Sequence, residues 1–334
     1  MGIGIEESGM EERGNGGFTL IELLIAIGLG MIILAGLYQT FRTQHDTYIV
    51  QDQVAAMQQN LRGAMYLITR DLQMAGWYSN FDRNSHTMDW DDQDGDNNPA
   101  TNGESGRPLL FSVDNNTGAG DGINDGTDML VIVKGGNEHR LLTATESGAG
   151  TSITLNTPYD LDGDGQADLN TGSRKYGLLV KSDLRSADFF VVDSPSGSIT
   201  NPWSLTETYL SGDMVFRSDV IVYKVNNDAT TGRPMLYRRN LGSDNGYQPV
   251  AENIENLQVR YQLNNGTWVN ALSVASQPQV RAVEVFLVGR TAMRQRGFID
   301  TETYNFANNP NPNPGGPYRR KVLNTIVKTR NVGL

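Results

Sequence analysis

Acidic side chains in alternation are the first residues in this chain that could do chemistry. The run Asp160-Leu161-Asp162-Gly163-Asp164-Gly165-Gln166-Ala167-Asp168 places oxygen-bearing side chains at every second position, four of them carboxylates, with a glycine where a cation-binding loop must turn sharply. Asp160, Asp162, Asp164 and Asp168 are therefore candidate calcium ligands. The bidentate Glu that closes such a loop would fall at Thr171, so a further carboxylate or water must complete the shell. The bland alternative is a solvated acidic turn held by Asx hydrogen bonds. Asp92, Asp94, Asp96 and Asn98 repeat the alternation without the Asp-Gly turn. No cofactor is required by anything else in the chain. The three histidines, His45, His86 and His139, are scattered, and G-x-S-x-G, H-E-x-x-H and a G-K-[ST] phosphate loop are all missing from the sequence. An enzyme is not expected.

The other chemically loaded residue is Glu22. It sits near the start of Phe18–Tyr38, 21 residues with one charge. At 1.5 Å per residue this run reaches roughly 30 Å, enough to cross the hydrocarbon core of a bilayer. A carboxylate in lipid costs several kcal/mol, and ionisable groups placed there have a task. A cleaved secretory signal would have a basic start, a shorter apolar core and a small-residue site at its far end, which this run lacks. An uncleaved anchor fits the length but gives Glu22 no role. Cleavage on the amino side, between Gly17 and Phe18, keeps the apolar helix on the mature protein.

Gly17-Phe18-Thr19-Leu20-Ile21-Glu22 followed by an apolar run resembles the type III signal of type IV prepilins and type II secretion pseudopilins. The resemblance implies that a prepilin peptidase cuts after Gly17 and N-methylates Phe18, and that Glu22 acts in assembly. A new α-amino group is positively charged near neutrality. Glu22 can pair with the amine of a neighbouring subunit, offsetting two charges embedded in the membrane. The segment 1–17 departs from the short basic leaders of that family, with Glu6, Glu7, Glu11 and Glu12 against Arg13 alone. A start at Met10 would give a more compact and less acidic leader.

Arg70-Asp71-Leu72-Gln73-Met74-Ala75-Gly76-Trp77, Asp125-Gly126-Thr127-Asp128 and Ile254–Tyr261 resemble segments of PilW-like minor pilins, as do Val280–Arg290 and the tail from Tyr318 to Asn331. The J-type pseudopilin of type II secretion is a near rival. What the resemblance implies is a non-catalytic subunit that takes part in initiating pilus assembly, in the filament or its tip. It would sit first in the inner membrane as a single-pass protein with a periplasmic head, among membrane lipid. Its partners would be other minor and major pilins and the inner-membrane assembly platform. A non-polymerising, anchored, calcium-dependent adhesin is the alternative from another class.

These residues need elements to position them. Val54, Met57, Leu61, Ala64, Ile68 and Leu72 recur at helical spacing, with Gln, Arg and Asp assigned to the opposite face. No proline precedes Pro99, so one helix is expected from Phe18 to about Ala75, with Gly76 as its stop. Gly28, Gly30 and Gly36 permit close helix packing. Trp77 to Asp128 reads as loop. Strands are expected at Met129–Lys134, Leu178–Lys181, Phe189–Val192, Val220–Val225, Met235–Arg239, Leu257–Leu263, Val280–Val288 and Val322–Thr329. Asn305–Pro317 is too rich in Asn, Pro and Gly for regular structure. The aromatics Trp77, Tyr78, Phe81 and Trp90 fit packing between helix and sheet better than an adhesive surface. The expected fold is α+β, a pilin-like lollipop with a long amino-terminal helix on a mostly antiparallel β-sheet head. Its parts are a leader 1–17, a membrane or filament-core helix 18–38, an amphipathic continuation 39–76 and a β-rich head 77–334.

Composition bounds the partners. The 334 residues carry a formal charge of −11. Losing residues 1–17 removes four Glu and one Arg, leaving −8. An acidic chain without a Lys/Arg stripe is not expected to bind nucleic acid. Arg319-Arg320-Lys321 reads as strand-edge charge. There is no cysteine, hence no disulfide and no thiol chemistry.

Overall fold

The computed structural model describes residues 17–76, 126–142, 176–183, 208–241, 246–272 and 279–329, with the short pieces 88–89, 105–106, 111–114, 152–154, 161, 169, 187–191, 198–200 and 276. The chain divides into two compact units, Met1–Asp52 and Gln53–Leu334. Helix α1, Leu20–Gln73, contributes to both.

In the first unit α1 is apolar on all sides and exposed, from Leu20 and Ile21 through Leu34 and Leu37. In the second unit only one stripe of the helix is buried: Met57, Leu61, Ala64, Met65, Ile68, Asp71 and Leu72, with Val54 packed partly against the core. The helix ends by tightening. Met74 N–H donates to Asp71 O and Ala75 N–H to Leu72 O, then Gly76 takes φ +73°. Only glycine adopts that conformation cheaply, and it turns the chain so that Gly76 N–H reaches Val133 O.

The strands are β1 (Met88–Asp89), β2 (Ser105–Gly106), β3 (Phe111–Asp114), β4 (Met129–Leu141), β5 (Ser152–Thr154), β6 (Tyr176–Val180), β7 (Ala187–Val191), β8 (Ser198–Thr200), β9 (Met214–Asn227), β10 (Pro234–Asn240), β11 (Gln248–Glu252), β12 (Ile254–Leu263), β13 (Trp268–Val269), β14 (Val280–Arg290) and β15 (Arg320–Lys328). A seven-stranded antiparallel sheet runs β11-β10-β9-β4-β3, with β6 paired to β9 and to β7. A four-stranded antiparallel sheet runs β13-β12-β14-β15. Two small ribbons, β1-β2 and β5-β8, complete the described sheet structure. The expected α+β class with antiparallel sheets is what the chain forms.

Each of the eight expected strands falls on an observed one. The first is longer than expected: β4 continues through Gly135 and Gly136, where its register with β9 breaks before resuming at His139. Three short strands precede it in a stretch expected to be loop. β11 escaped notice because Pro249 and Glu252 are poor strand formers; it lies at the sheet edge, where a proline costs no ladder bond.

One hydrophobic core joins the helix stripe to both sheets, taking Leu130 and Ile132 from β4, Val220, Val222 and Tyr223 from β9, and Leu257, Val259, Val283, Val285 and Leu287 from β12 and β14. A second cluster, Leu142, Leu161, Leu169, Leu179, Phe190, Tyr209 and Val215, fills the other face of β6 and β9. β14 is central and buried on both faces, which accounts for its nearly unbroken apolar run. On its outer face Phe286 stacks on Phe306, ring centres 5.1 Å apart, within the segment that connects β14 to β15. That segment holds neither helix nor strand, as its composition implied, yet it is tied down: Tyr304 is buried, its N–H donates to Pro312 O, and Gly315 and Gly316 both take positive φ.

Two expectations on charged residues are corrected. Asp71 is not on the solvent face of the helix; it is fully buried. Arg320 is not edge charge; its side chain is 3% exposed and engaged by two carboxylates.

Candidate functional site

At the amino end, Thr19 sets where the helix starts. Leu23 N–H donates to Thr19 O at 3.2 Å and Glu22 N–H donates to Thr19 Oγ1 at 3.3 Å. Thr19 is thus the N-cap and Glu22 the third helical residue, the Thr-x-x-Glu spelling of a capping box. That signal was present in the sequence and was missed. An acidic residue in the first turn is favoured by the helix dipole, so Glu22 serves the start of the helix. Gly17 and Phe18 stay outside the helix and exposed; nothing lies within 4 Å of a Cβ built on Gly17, and Phe18 is 85% exposed. The Gly17–Phe18 bond is therefore non-helical and open, the condition a peptidase needs. Beyond it α1 is long and apolar enough to cross a membrane. Exposed apolar surface of this extent marks a lipid or protein contact.

At the carboxyl end of α1, Asp71 gathers groups from three strands. Lys134 Nζ of β4 lies 3.1 Å from its Oδ1; Tyr223 OH of β9 donates to Oδ2 at 2.7 Å, and Arg238 Nε of β10 to the same oxygen at 2.9 Å. Burial alone would raise the Asp71 carboxyl. The Tyr223 hydrogen bond and the charges of Lys134 and Arg238 outweigh it and hold the group below the ordinary carboxylate range. The Tyr223 hydroxyl is pushed well up, by burial and by the Asp71 charge. Lys134 and Arg238 close around one buried carboxylate, with a hydroxyl donor and with Arg70 Nη2 at 3.8 Å, the arrangement in which a buried charge is tolerated. It fastens the helix end to the seven-stranded sheet.

Two further joints connect the sheets and the loop. Asp128, fully buried at the start of β4, donates its N–H to Leu257 O and accepts Val259 N–H on Oδ2 at 2.8 Å. Gln258 Nε2 donates to Gly126 O at 2.9 Å. Gly126 takes φ +76°, and a Cβ there would come 2.7 Å from Pro310 Cγ. Glu255 receives Arg290 Nη1 at 3.3 Å and both Nε and Nη2 of Arg320, while Arg320 Nη1 reaches Asp300 Oδ2 at 2.9 Å. Burial would raise the Asp300 carboxyl; Arg320, Glu302 N–H and Tyr304 bring it below its usual range. Asp128, Glu255, Arg290 and Arg320 come from the very segments singled out by resemblance, whereas Asp300 lies outside them. The sequence reading quoted those four but assigned them no partner.

The candidate calcium ligands Asp160, Asp162, Asp164 and Asp168 lie outside the described residues, as do Asp92, Asp94, Asp96 and Asn98, His86, and the aromatics Trp77, Tyr78, Phe81 and Trp90. Leu161 and Leu169 are described, and both are buried in the second cluster. Among the described residues no group of three or more His, Asp or Glu is placed to hold a metal ion.

Residues 13–38 match the prokaryotic N-terminal methylation motif, and residues 222–331 match the family described as Type IV Pilus-assembly protein W. The chain is also similar to the solved structure of a type IV-like pilin from Thermus thermophilus, at 11% identity and a TM-score of 0.32, over 85% of this chain and 98% of that one. No curated protein matches it. The two sequence matches support a pilin-like structural subunit of the type IV minor pilin kind, and the methylation motif implies processing by a prepilin peptidase.

Proposed function

We propose that this chain is a minor type IV pilin that helps initiate pilus assembly and remains in the filament or at its tip. The observation that carries this reading is the methylation motif at 13–38, coinciding with a Gly17–Phe18 bond that stands free of the helix. Before assembly the protein spans the inner membrane with its head in the periplasm. Cleavage frees the Phe18 amine. The apolar faces of residues 18–38 then pack against neighbouring helices, and Glu22 selects register by pairing with an N-terminal amine. Other minor and major pilins and the assembly platform are the partners. The Asp71 joint supports the same reading, because a subunit drawn from a bilayer by its helix needs that helix fastened to its head.

The test has two parts. Mass spectrometry of the mature protein should find a methylated Phe18 as first residue. Glu22→Ala should keep membrane insertion and processing but lose piliation; full piliation by this variant overturns the assembly role.

A further inference from the structure

Just beyond the apolar run, Tyr38, Phe41, Arg42, His45 and Tyr48 fall on one side of α1 at spacings of three and four, and line a shallow concavity. The three aromatics are 67–70% exposed. The threonines that follow the run hide their hydroxyls: Thr40 Oγ1 donates to Gly36 O, Thr43 Oγ1 to Gln39 O and Thr47 Oγ1 to Thr43 O, at 2.8–3.0 Å. Polar groups satisfied within the helix present methyls outward, which extends the tolerance for a weakly polar medium past Tyr38.

We infer that Tyr38 to Arg42 lies in the headgroup layer of the bilayer, with Arg42 bound to the phosphate of an anionic phospholipid. This rests on reading residues 18–38 as the membrane segment. Three features commit the face to lipid. It continues directly from a run as long as the hydrocarbon core is thick. It sets the amphipathic aromatics Tyr38 and Tyr48 beside the cationic Arg42, the mixture that anchors helices at the membrane–water boundary. Its reach also fits: Arg42 stands one turn past Tyr38, about 6 Å along the axis, and the headgroup layer is of similar depth on each side. The first acid on this side of the run, Asp46, stands a turn beyond Arg42, where a carboxylate is clear of the lipid phosphates; it lies 4.0 Å from His45 Nδ1.

The chain has no cysteine, so Gln44→Cys gives a single attachment point for a nitroxide on the processed full-length protein. The protein is reconstituted in phosphatidylcholine vesicles with and without phosphatidylglycerol. The label should sit within about one helical turn, ~5 Å, of the phosphate plane. Native protein should enrich phosphatidylglycerol around itself about fivefold relative to Arg42→Gln, with Arg42→Lys retaining most of the preference. A label buried in hydrocarbon or out in bulk water, contact with a second subunit in place of lipid, or equal lipid preference in Arg42→Gln overturns the inference while leaving the anchor intact. Failure of the native chain to resist carbonate extraction overturns the membrane reading itself, and this inference with it.

Discussion

Leu61 of the helix rests directly on Gly289 of β14: a Cβ built on that glycine would come 2.9 Å from Leu61 Cγ and 3.0 Å from Cδ1. The helix approaches the four-stranded sheet as closely as it does because no side chain stands there. Gly289→Ala should therefore destabilise the fold by about 1–3 kcal/mol through overpacking. Leu61→Ala should cost about 2–5 kcal/mol by leaving a cavity. Because the two sites touch, the double variant should lose less than the sum, measured by denaturant unfolding of the full chain in detergent. Strict additivity would mean the contact carries no energy.

Removing the buried carboxylate should be more damaging than removing a surface one. Asp71→Ala leaves Lys134 and Arg238 facing each other without their counter-ion, a loss of about 3–5 kcal/mol. The acid limb also follows. Asp71 titrates below its unfolded value of about 3.9, so its contribution is complete above that value and is lost as the pH falls through the lower, folded one. In Asp71→Asn the slope of stability against pH below about 5 should flatten. It should not vanish, since Asp300 and Asp213 are depressed as well, the latter by backbone N–H donors at Leu210 and Ser182.

Asp128 joins β4 to β12 by accepting a buried backbone donor. Asp128→Ala strands the Val259 N–H and should cost about 1–3 kcal/mol; Asp128→Asn, which keeps an acceptor in place, should recover most of it. Hydrogen exchange at Val259 is the direct readout, and protection unchanged in the alanine variant would refute the joint.

Thr19→Ala should cost about 1 kcal/mol at the first turn of the helix. Amides of Ile21 to Leu23 should exchange faster in detergent while the rest of α1 is unaffected. Because the cap holds the helix off the Gly17–Phe18 bond, peptidase processing of the precursor should change with it; identical exchange and processing would deny Thr19 this role.

Legibility in the sequence followed the number of faces an element buries. The helix stripe from Met57 to Leu72 and the runs of β9 and β14 announce themselves because apolar side chains repeat with the period of the backbone. Asp71 did not, because charge was read as exposure. Its spacing from Ile68 and Leu72 puts it on the buried stripe, and only distant residues, Lys134, Tyr223 and Arg238, make that bearable. The same holds for Arg320. Its neighbours in sequence are basic, its partners Glu255 and Asp300 are remote, and no local pattern pairs them. The glycine stop of α1 was read from the sequence and its Thr-x-x-Glu start could have been, since both follow from local backbone needs. The methylation motif matched at 13–38 was legible because its residues are contiguous in the chain.

The seat of Leu61 has a consequence for the order of events in making this protein. Gly289 is delivered long after the helix has left the ribosome, and most of the head comes between them. Until β14 arrives and pairs, half of the groove that receives the helix does not exist. Pairings so distant along the chain are slow to form, and in the interval the helix stripe has only part of its cover. A protein built this way leaves the stripe around Leu61 part-covered until the last sixth of its chain has been made.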